Sequence, residues 1–410
     1  MAGATFPVGR RVVCYRHFAL CSTRGDAGMY DLIVGNGRVL DPATGRDGPA
    51  DIGITDGRIA AVSDSIAPAQ GDAFLDAAGL TVTPGLIDVH VHIYEGVTHY
   101  GVFPDEDVLA SGVTTALDAG SAGAATFAGL RRYLIDVSDL RLFALLNISA
   151  MGMLDEAVGE LEDIRWADPT RAIAVCEQHR DVILGIKVRL TRNLAGENAG
   201  PALRNAREAA DAVGLPVMVH PQAAAILLEE ILGELKAGDL VTHCFHGMAG
   251  GVLDGAGNVH RCVREAVDRG VTFDIGHGKG SFDFEVAERA LAQGLIPDTI
   301  SSDLHVHNIN GPVFDLATTL SKFLLLGYEP AEALRRCTVT PAAVLGMAGE
   351  IGTLAVGAHA DLTVFEIVEG GHQFEDSGGR QRTGDLRFVP RQVVKAGRAM
   401  AAVARGYPAG

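Results

Sequence analysis

Pro84-Gly85-Leu86-Ile87-Asp88-Val89-His90-Val91-His92 is an apolar, β-branched run that closes on two histidines. Strand side chains alternate between faces, so His90 and His92 share one. Two imidazoles side by side pack poorly but make good metal ligands; an ordinary hydrogen-bonded pair is the plainer alternative. From Pro84 onward strand alternates with helix. Strand cores read at 87–92, 114–118, 142–148, 182–188, 216–220, 240–243, 271–275 and 299–302, with helical stretches such as 202–213 and 285–293 between them. Eight strands close a parallel barrel. Most are apolar on both faces, as outer helices require.

Before Pro84 the chain reads as short strands and turns. Residues 31–34, Gly35-Asn36-Gly37 and 38–40 read as a hairpin, and 51–54, Asp56-Gly57 and 58–62 repeat the device. Strands at 75–77 and 80–82 continue it. After the last barrel strand, 313–326 and 330–345 read as helices. Strand patterns return at 352–354, 360–365 and 389–398, and the polar stretch 370–385 reads as a long exposed loop. The simplest architecture is α/β: a distorted (β/α)8 TIM barrel, residues 84–348, inserted into a small β-sandwich built from both chain ends, 29–83 plus 349–410. Residues 1–28 carry several arginines and precede a second methionine, Met29. They read as a disordered extension, with an ordered arm as the alternative.

The 410 residues exceed the roughly 250 of a lone barrel. A net charge of −17 argues against nucleic acid or an anionic membrane as partner. Cys14, Cys21, Cys176, Cys244, Cys262 and Cys337 show no CxxC spacing, which fits free thiols in a reducing, cytoplasmic setting. No apolar run approaches the roughly 20 residues of a membrane span. Homo-oligomerisation stays open.

In a parallel barrel every strand ends at the same rim, where catalytic groups collect. Lys187 sits late in strand four, in Leu184-Gly185-Ile186-Lys187-Val188-Arg189. Burial favours a neutral amine, which reacts with CO2 to give a carbamate, an anionic ligand able to bridge two metals. A buried salt bridge to an Asp and a Schiff-base lysine are the alternatives. Arg189 faces the same side and either clamps a substrate carboxylate or forms a rim salt bridge. His220 and His243 end strands five and six; His246 lies close enough to exchange roles with His243. Asp303 follows strand eight, where a carboxylate binds metal and accepts a proton, or else caps a helix. His305 orients substrate or Asp303, and His277 is a weaker candidate for substrate contact or a plain loop residue. Together these residues allow two divalent cations. His90, His92 and Asp303 would hold one, His220 and His243 the other, and Lys187 carboxylated on its ε-nitrogen would bridge them with a hydroxide. Such a pair, about 3.5–4 Å apart, hydrolyses an ester, amide or ring amide.

These residues resemble the amidohydrolase superfamily, most recognisably in Pro84 to His92. The resemblance runs from about Tyr30 to the C-terminus and implies the barrel with its sandwich. Its binuclear subtype implies carboxylated Lys187; the neutral imidazoles suit zinc and related borderline metals. Residues 185–189, Thr242-His243-Cys244-Phe245-His246-Gly247, Ser301-Ser302-Asp303-Leu304-His305 and Phe314 to Lys322 are similar to the dihydroorotase-related amidohydrolase/deacetylase group. Ile93-Tyr94-Glu95-Gly96 departs from dihydroorotase itself, which has an Arg soon after this position. The expected function is a zinc-dependent deacetylase or deacylase of a small, carboxylate-bearing acylated acid. The alternatives are a cyclic-amide hydrolase of dihydroorotase or hydantoinase type, a mononuclear deaminase with no need of Lys187, and a scaffold that has lost activity.

Overall fold

The computed structural model describes residues 29–406. The expectation of disorder over 1–28, and Cys14 and Cys21 with it, lies outside the described residues. Seven strands, β1 (Leu86–Val91), β2 (Val113–Asp118), β3 (Arg141–Asn147), β4 (Ile183–Arg189), β5 (Val217–His220), β6 (Leu240–Val241) and β7 (Thr272–Phe273), pair in parallel in chain order. The eighth expected strand, 299–302, forms no continuous ladder. Parallel bridges from Thr299 to Asp274 and from Leu304 to Val91 nevertheless join β7 back to β1 and curl the sheet into a barrel. The reason is Asp303, whose φ of 49° breaks the extended backbone between those bridges. His243, with φ 61°, stops β6 earlier than its apolar run suggests.

Alternation along these strands sets the site. Leu145, Met218 and Leu240 point into the barrel and pack there with Ile87, Val89, Ala342 and Leu345, plugging its lower end. Lys187, Arg189 and His220 line the cavity at the opposite, carboxyl end of the strands. The pairing of β1 shifts register between Asp88 and Val91, and both of its imidazoles enter the cavity. Outside, helices such as Ala199–Val213 bury an alanine-rich stripe (Ala202, Ala206, Ala209, Ala210) against the strands. The expected helix 330–345 is two, Pro330–Arg335 and Val339–Val344. Pro341 is tolerated only in a first helical turn, so the helix restarts just before it.

The chain ends build two further sheets. A four-stranded one contains Leu32–Gly35, Asp51–Thr55, Arg58–Ser63 and Phe74–Asp76; a six-stranded one combines Arg38–Asp41, Arg46–Pro49 and Thr81–Pro84 with Leu362–Glu375, Gln381–Lys395 and Arg398–Ala401. Leu32, Val34, Ile52 and Ile54 of the first pack on Val39, Val82, Leu362, Val364 and Val394 of the second. Two expectations change here. The strands flanking Asn36-Gly37 are not a hairpin, because they enter opposite sheets. The stretch 370–385 is exposed as expected but is no loop: strands Leu362–Glu375 and Gln381–Lys395 run through it as one long antiparallel hairpin whose turn reaches the barrel rim.

Candidate active site

The rim cavity has a volume of about 280 Å³. Its wall includes His90, His92, Lys187, Arg189, His220, His243, Asp303 and His305, the strand-end residues singled out in the sequence. Imidazole centroids lie 5.4 Å apart for His90 and His92, 5.0 Å for His90 and His243, and 4.4 Å for His220 and His243. Asp303 Oδ1 sits 3.4 Å from His90 Nε2 and 3.2 Å from His92 Nε2.

The local bonding turns the histidines so that one nitrogen faces the centre. Thr242 Oγ1 donates to Asp274 Oδ2 at 2.8 Å and lies 2.8 Å from His90 Nδ1, so that nitrogen carries the proton. His243 Nδ1 donates to the Gly276 carbonyl at 2.6 Å. His92 Nδ1 is 2.9 Å from Ser121 Oγ, and Asp118 in turn fixes Ser121 by accepting its backbone N–H at 2.7 Å. For His90 and His243 this leaves Nε2 with its lone pair. Burial, helped by neighbouring positive groups, pushes His90, His220 and His243 well below the ordinary imidazole value. It pushes His92 and His305 down to about 3. Neutral imidazoles are the form that binds a cation.

Two groups test whether the residues fit divalent cations. Asp303 Oδ1 is buried and has no hydrogen-bond donor, a state that costs free energy unless a cation faces it. Burial raises the Asp303 carboxyl to about 6. Lys187 is about 1% exposed; burial pulls its amine down to about 7. Its neighbour is the Met218 sulfur at 3.2 Å, and no carboxylate pairs with it among the described residues, so the salt-bridge alternative has no partner there. The donor set, several neutral nitrogens with one bare carboxylate oxygen and a buried lysine on the same cavity wall, fits divalent cations.

Other expectations sort by geometry. Arg189 is ion-paired with buried Glu160, which Asn147 Nδ2 also approaches at 3.2 Å, and it lies 5.5 Å over the Tyr100 ring. It still lines the cavity, so the salt bridge and the cavity-facing position coexist. His305 stacks on Tyr100 with centroids 4.4 Å apart. His246 is buried but lies outside the cavity wall, with its Nδ1 accepting the Met248 N–H, so of the two only His243 faces the cavity. His277 is corrected: it is fully buried away from the cavity wall, with Nε2 2.6 Å from Lys322 Nζ and its ring stacked on Phe282. Its sequence position after strand seven reads equally for rim and interior, and Phe282 decides.

Sequence reading overlooks Tyr100, Glu160 and Gln222. The first two lie in irregular loops, where no periodicity marks them. Gln222 had a signal, standing two residues beyond His220. Asp88, Asp118 and Asp274 also carried one, as carboxylates at the ends of apolar strands.

A barrel whose rim gathers neutral imidazoles, a buried lysine and a bare carboxylate oxygen belongs to the class of folds built for cation-assisted chemistry. The Amidohydrolase family model matches residues 81–400, and the chain belongs to that family. It is 38% identical over 348 residues to a deacetylase of Agrobacterium fabrum (strain C58), covering 85% of each chain. It is 35% identical over 371 residues to a deacetylase of Enterococcus faecalis, covering 90% of this chain and 98% of the relative. Among solved structures, one described as an adenine deaminase superposes with TM-score 0.84 at 35% identity, covering 91% of this chain and all of the other. No helix among the described residues is long and apolar enough to cross a membrane.

Proposed function

We propose that this chain is a binuclear, zinc-dependent deacylase that removes an acyl group from a small, carboxylate-bearing acid. The observation that carries the reading is the convergence of His90, His92, His220, His243, Lys187 and Asp303 on one buried cavity, with Asp303 Oδ1 lacking any donor. His90, His92 and Asp303 would hold one ion, His220 and His243 the other, and Lys187, carboxylated by CO2, would bridge. Bound divalent cations supply a water that ionises near neutral pH and a polarised substrate carbonyl.

The protein's own groups do the rest. Asp303 accepts the proton of the attacking water and passes it to the leaving atom, as a carboxylate beside that water can. Arg189, kept in place by Glu160 and Tyr100, presents positive charge to the substrate carboxylate, and His305, stacked on Tyr100, packs against the substrate. The barrel, residues 84–348, carries this machinery, and the sandwich from the chain ends braces it. The names of the relatives support deacylation, since both of those compared are deacetylases. A ring-amide substrate is the second reading, favoured by the similarity to a structure described as a dihydroorotase, TM-score 0.84 at 35% identity. Zinc-loaded protein assayed on N-acyl and O-acyl acids beside dihydroorotate and hydantoins separates them. Turnover of acylated acids alone is expected; turnover confined to ring amides would reverse the order.

A further inference from the structure

Lys322 lies in the helix Leu316–Leu325 and is fully buried, yet the chemistry above does not use it. Its Nζ has three neighbours: the Pro312 carbonyl at 2.9 Å, the Glu375 carbonyl at 2.7 Å and His277 Nε2 at 2.6 Å. His277 Nδ1 lies 2.9 Å from the Gly278 carbonyl, which only accepts, so Nδ1 carries the proton and Nε2 is an acceptor. All three neighbours therefore accept, and only an ammonium has three N–H groups to give. Burial works against that charge, and buried Asp376 offsets part of the cost.

The three acceptors belong to three segments: the barrel-rim loop after β7, the loop before the helix, and the end of the sandwich strand Leu362–Glu375. The next residues of that hairpin continue the grip. Ser377 N–H donates to the Phe282 carbonyl at 2.9 Å, and its Oγ accepts from the N–H groups of Ser281 and Phe282 at 3.2 Å each. Asp376 Oδ2 accepts the Phe284 N–H, and Arg380 pairs with Asp283 at 2.7 Å. From the other side Gln222 donates to the Gly280 carbonyl at 2.7 Å and accepts from Ser281 Oγ at 2.9 Å. What is gripped is the stretch 276–281. Gly276 accepts from His243, and Gly278 lies so close to Asp303 that a Cβ there would collide with Oδ2.

We propose that Lys322 and Ser377 are positioning residues, which clamp the 276–281 loop from the sandwich side and so hold His243 and Asp303 in ligand geometry. This rests on the metal-site reading above for its effect on ligands, but the clamp itself is a property of the metal-free chain. The test compares wild type with Lys322→Met, Lys322→Arg and Ser377→Ala, each checked for folding by near-UV circular dichroism. Two readouts are taken: amide hydrogen exchange over 275–283 without metal, and Zn2+ affinity by competition with a chromophoric chelator. Lys322→Met is expected to speed exchange in that stretch and to weaken Zn2+ binding about tenfold or more, the scale of lost ligand support. On the acylated substrate kcat should fall more than KM rises. Lys322→Arg should restore part of each, and Ser377→Ala should show the same pattern more weakly. Folded Lys322→Met with wild-type exchange and affinity overturns the proposal; if that variant fails to fold, unchanged exchange and affinity in Ser377→Ala overturn it. Faster exchange in Lys322→Met beside a wild type that binds no Zn2+ would instead sink the metal-site reading while leaving the clamp.

Discussion

At His243 and Asp303 the backbone takes φ values of 61° and 49°, a region that residues other than glycine rarely enter. Such conformations cost about 1–3 kcal/mol each and persist where surrounding bonds over-determine them. Here those bonds aim an imidazole and a carboxylate at a shared centre. Asp303→Asn keeps the shape and removes the proton acceptor, so kcat should drop about 10²–10⁴-fold with folding intact, read by steady-state kinetics. Thr242→Val breaks the link from His90 to Asp274 and should weaken metal affinity about 10–100-fold, read by chelator competition. These cavity residues were legible because each polar group interrupts an apolar strand at its end. Glu160, which pairs with Arg189, was not, since an acid in an irregular loop looks like any surface acid until the fold buries it.

Two Asn-Gly or Asp-Gly turns show how far local sequence carries at the scale of elements. Asp56 and Gly57 both have positive φ, 49° and 69°, and the flanking strands pair as a hairpin. At Asn36-Gly37 only Asn36 does, at 65°, and its side chain bonds Asp76 rather than closing a hairpin. Dipeptide chemistry offered the same turn twice; the partner sheets decided between them. The long hairpin was misread because most residues from 370 to 385 are polar and exposed, as a loop's would be, and only Phe374, Asp376 and Gly384 are buried. Seven of the eight expected barrel strands were legible because burial on both faces leaves a nearly continuous apolar run. Met218, under Lys187 and in the barrel plug, tests that packing. Met218→Ala should cost about 2–5 kcal/mol in denaturant unfolding; a loss well under 1 kcal/mol would show the plug to be loose.

Across the whole molecule the buried histidines dominate the response to acid. His90, His92, His220, His243, His246, His277 and His305 are all held below the ordinary imidazole value by burial. Once unfolded they take protons near pH 6.5. The unfolded chain then binds more protons than the folded one, so the stability they give is present above pH 6.5 and is lost as pH falls. Asp88, raised to about 7, and Asp303, raised to about 6, act in the opposite sense but are fewer. Chelator-treated protein should therefore lose Tm steadily from pH 7 to 5, and a rising Tm would show the carboxyls in control. The central claim is that six side chains scattered from residue 90 to residue 303 share one pair of cations. Its most direct test is the metal content of folded, gel-filtered protein after incubation with Zn2+ and bicarbonate, for wild type and Lys187→Ala. The account predicts two ions per wild-type chain and fewer in the variant. A folded wild type holding none, or holding as much as its Lys187→Ala counterpart, would contradict it.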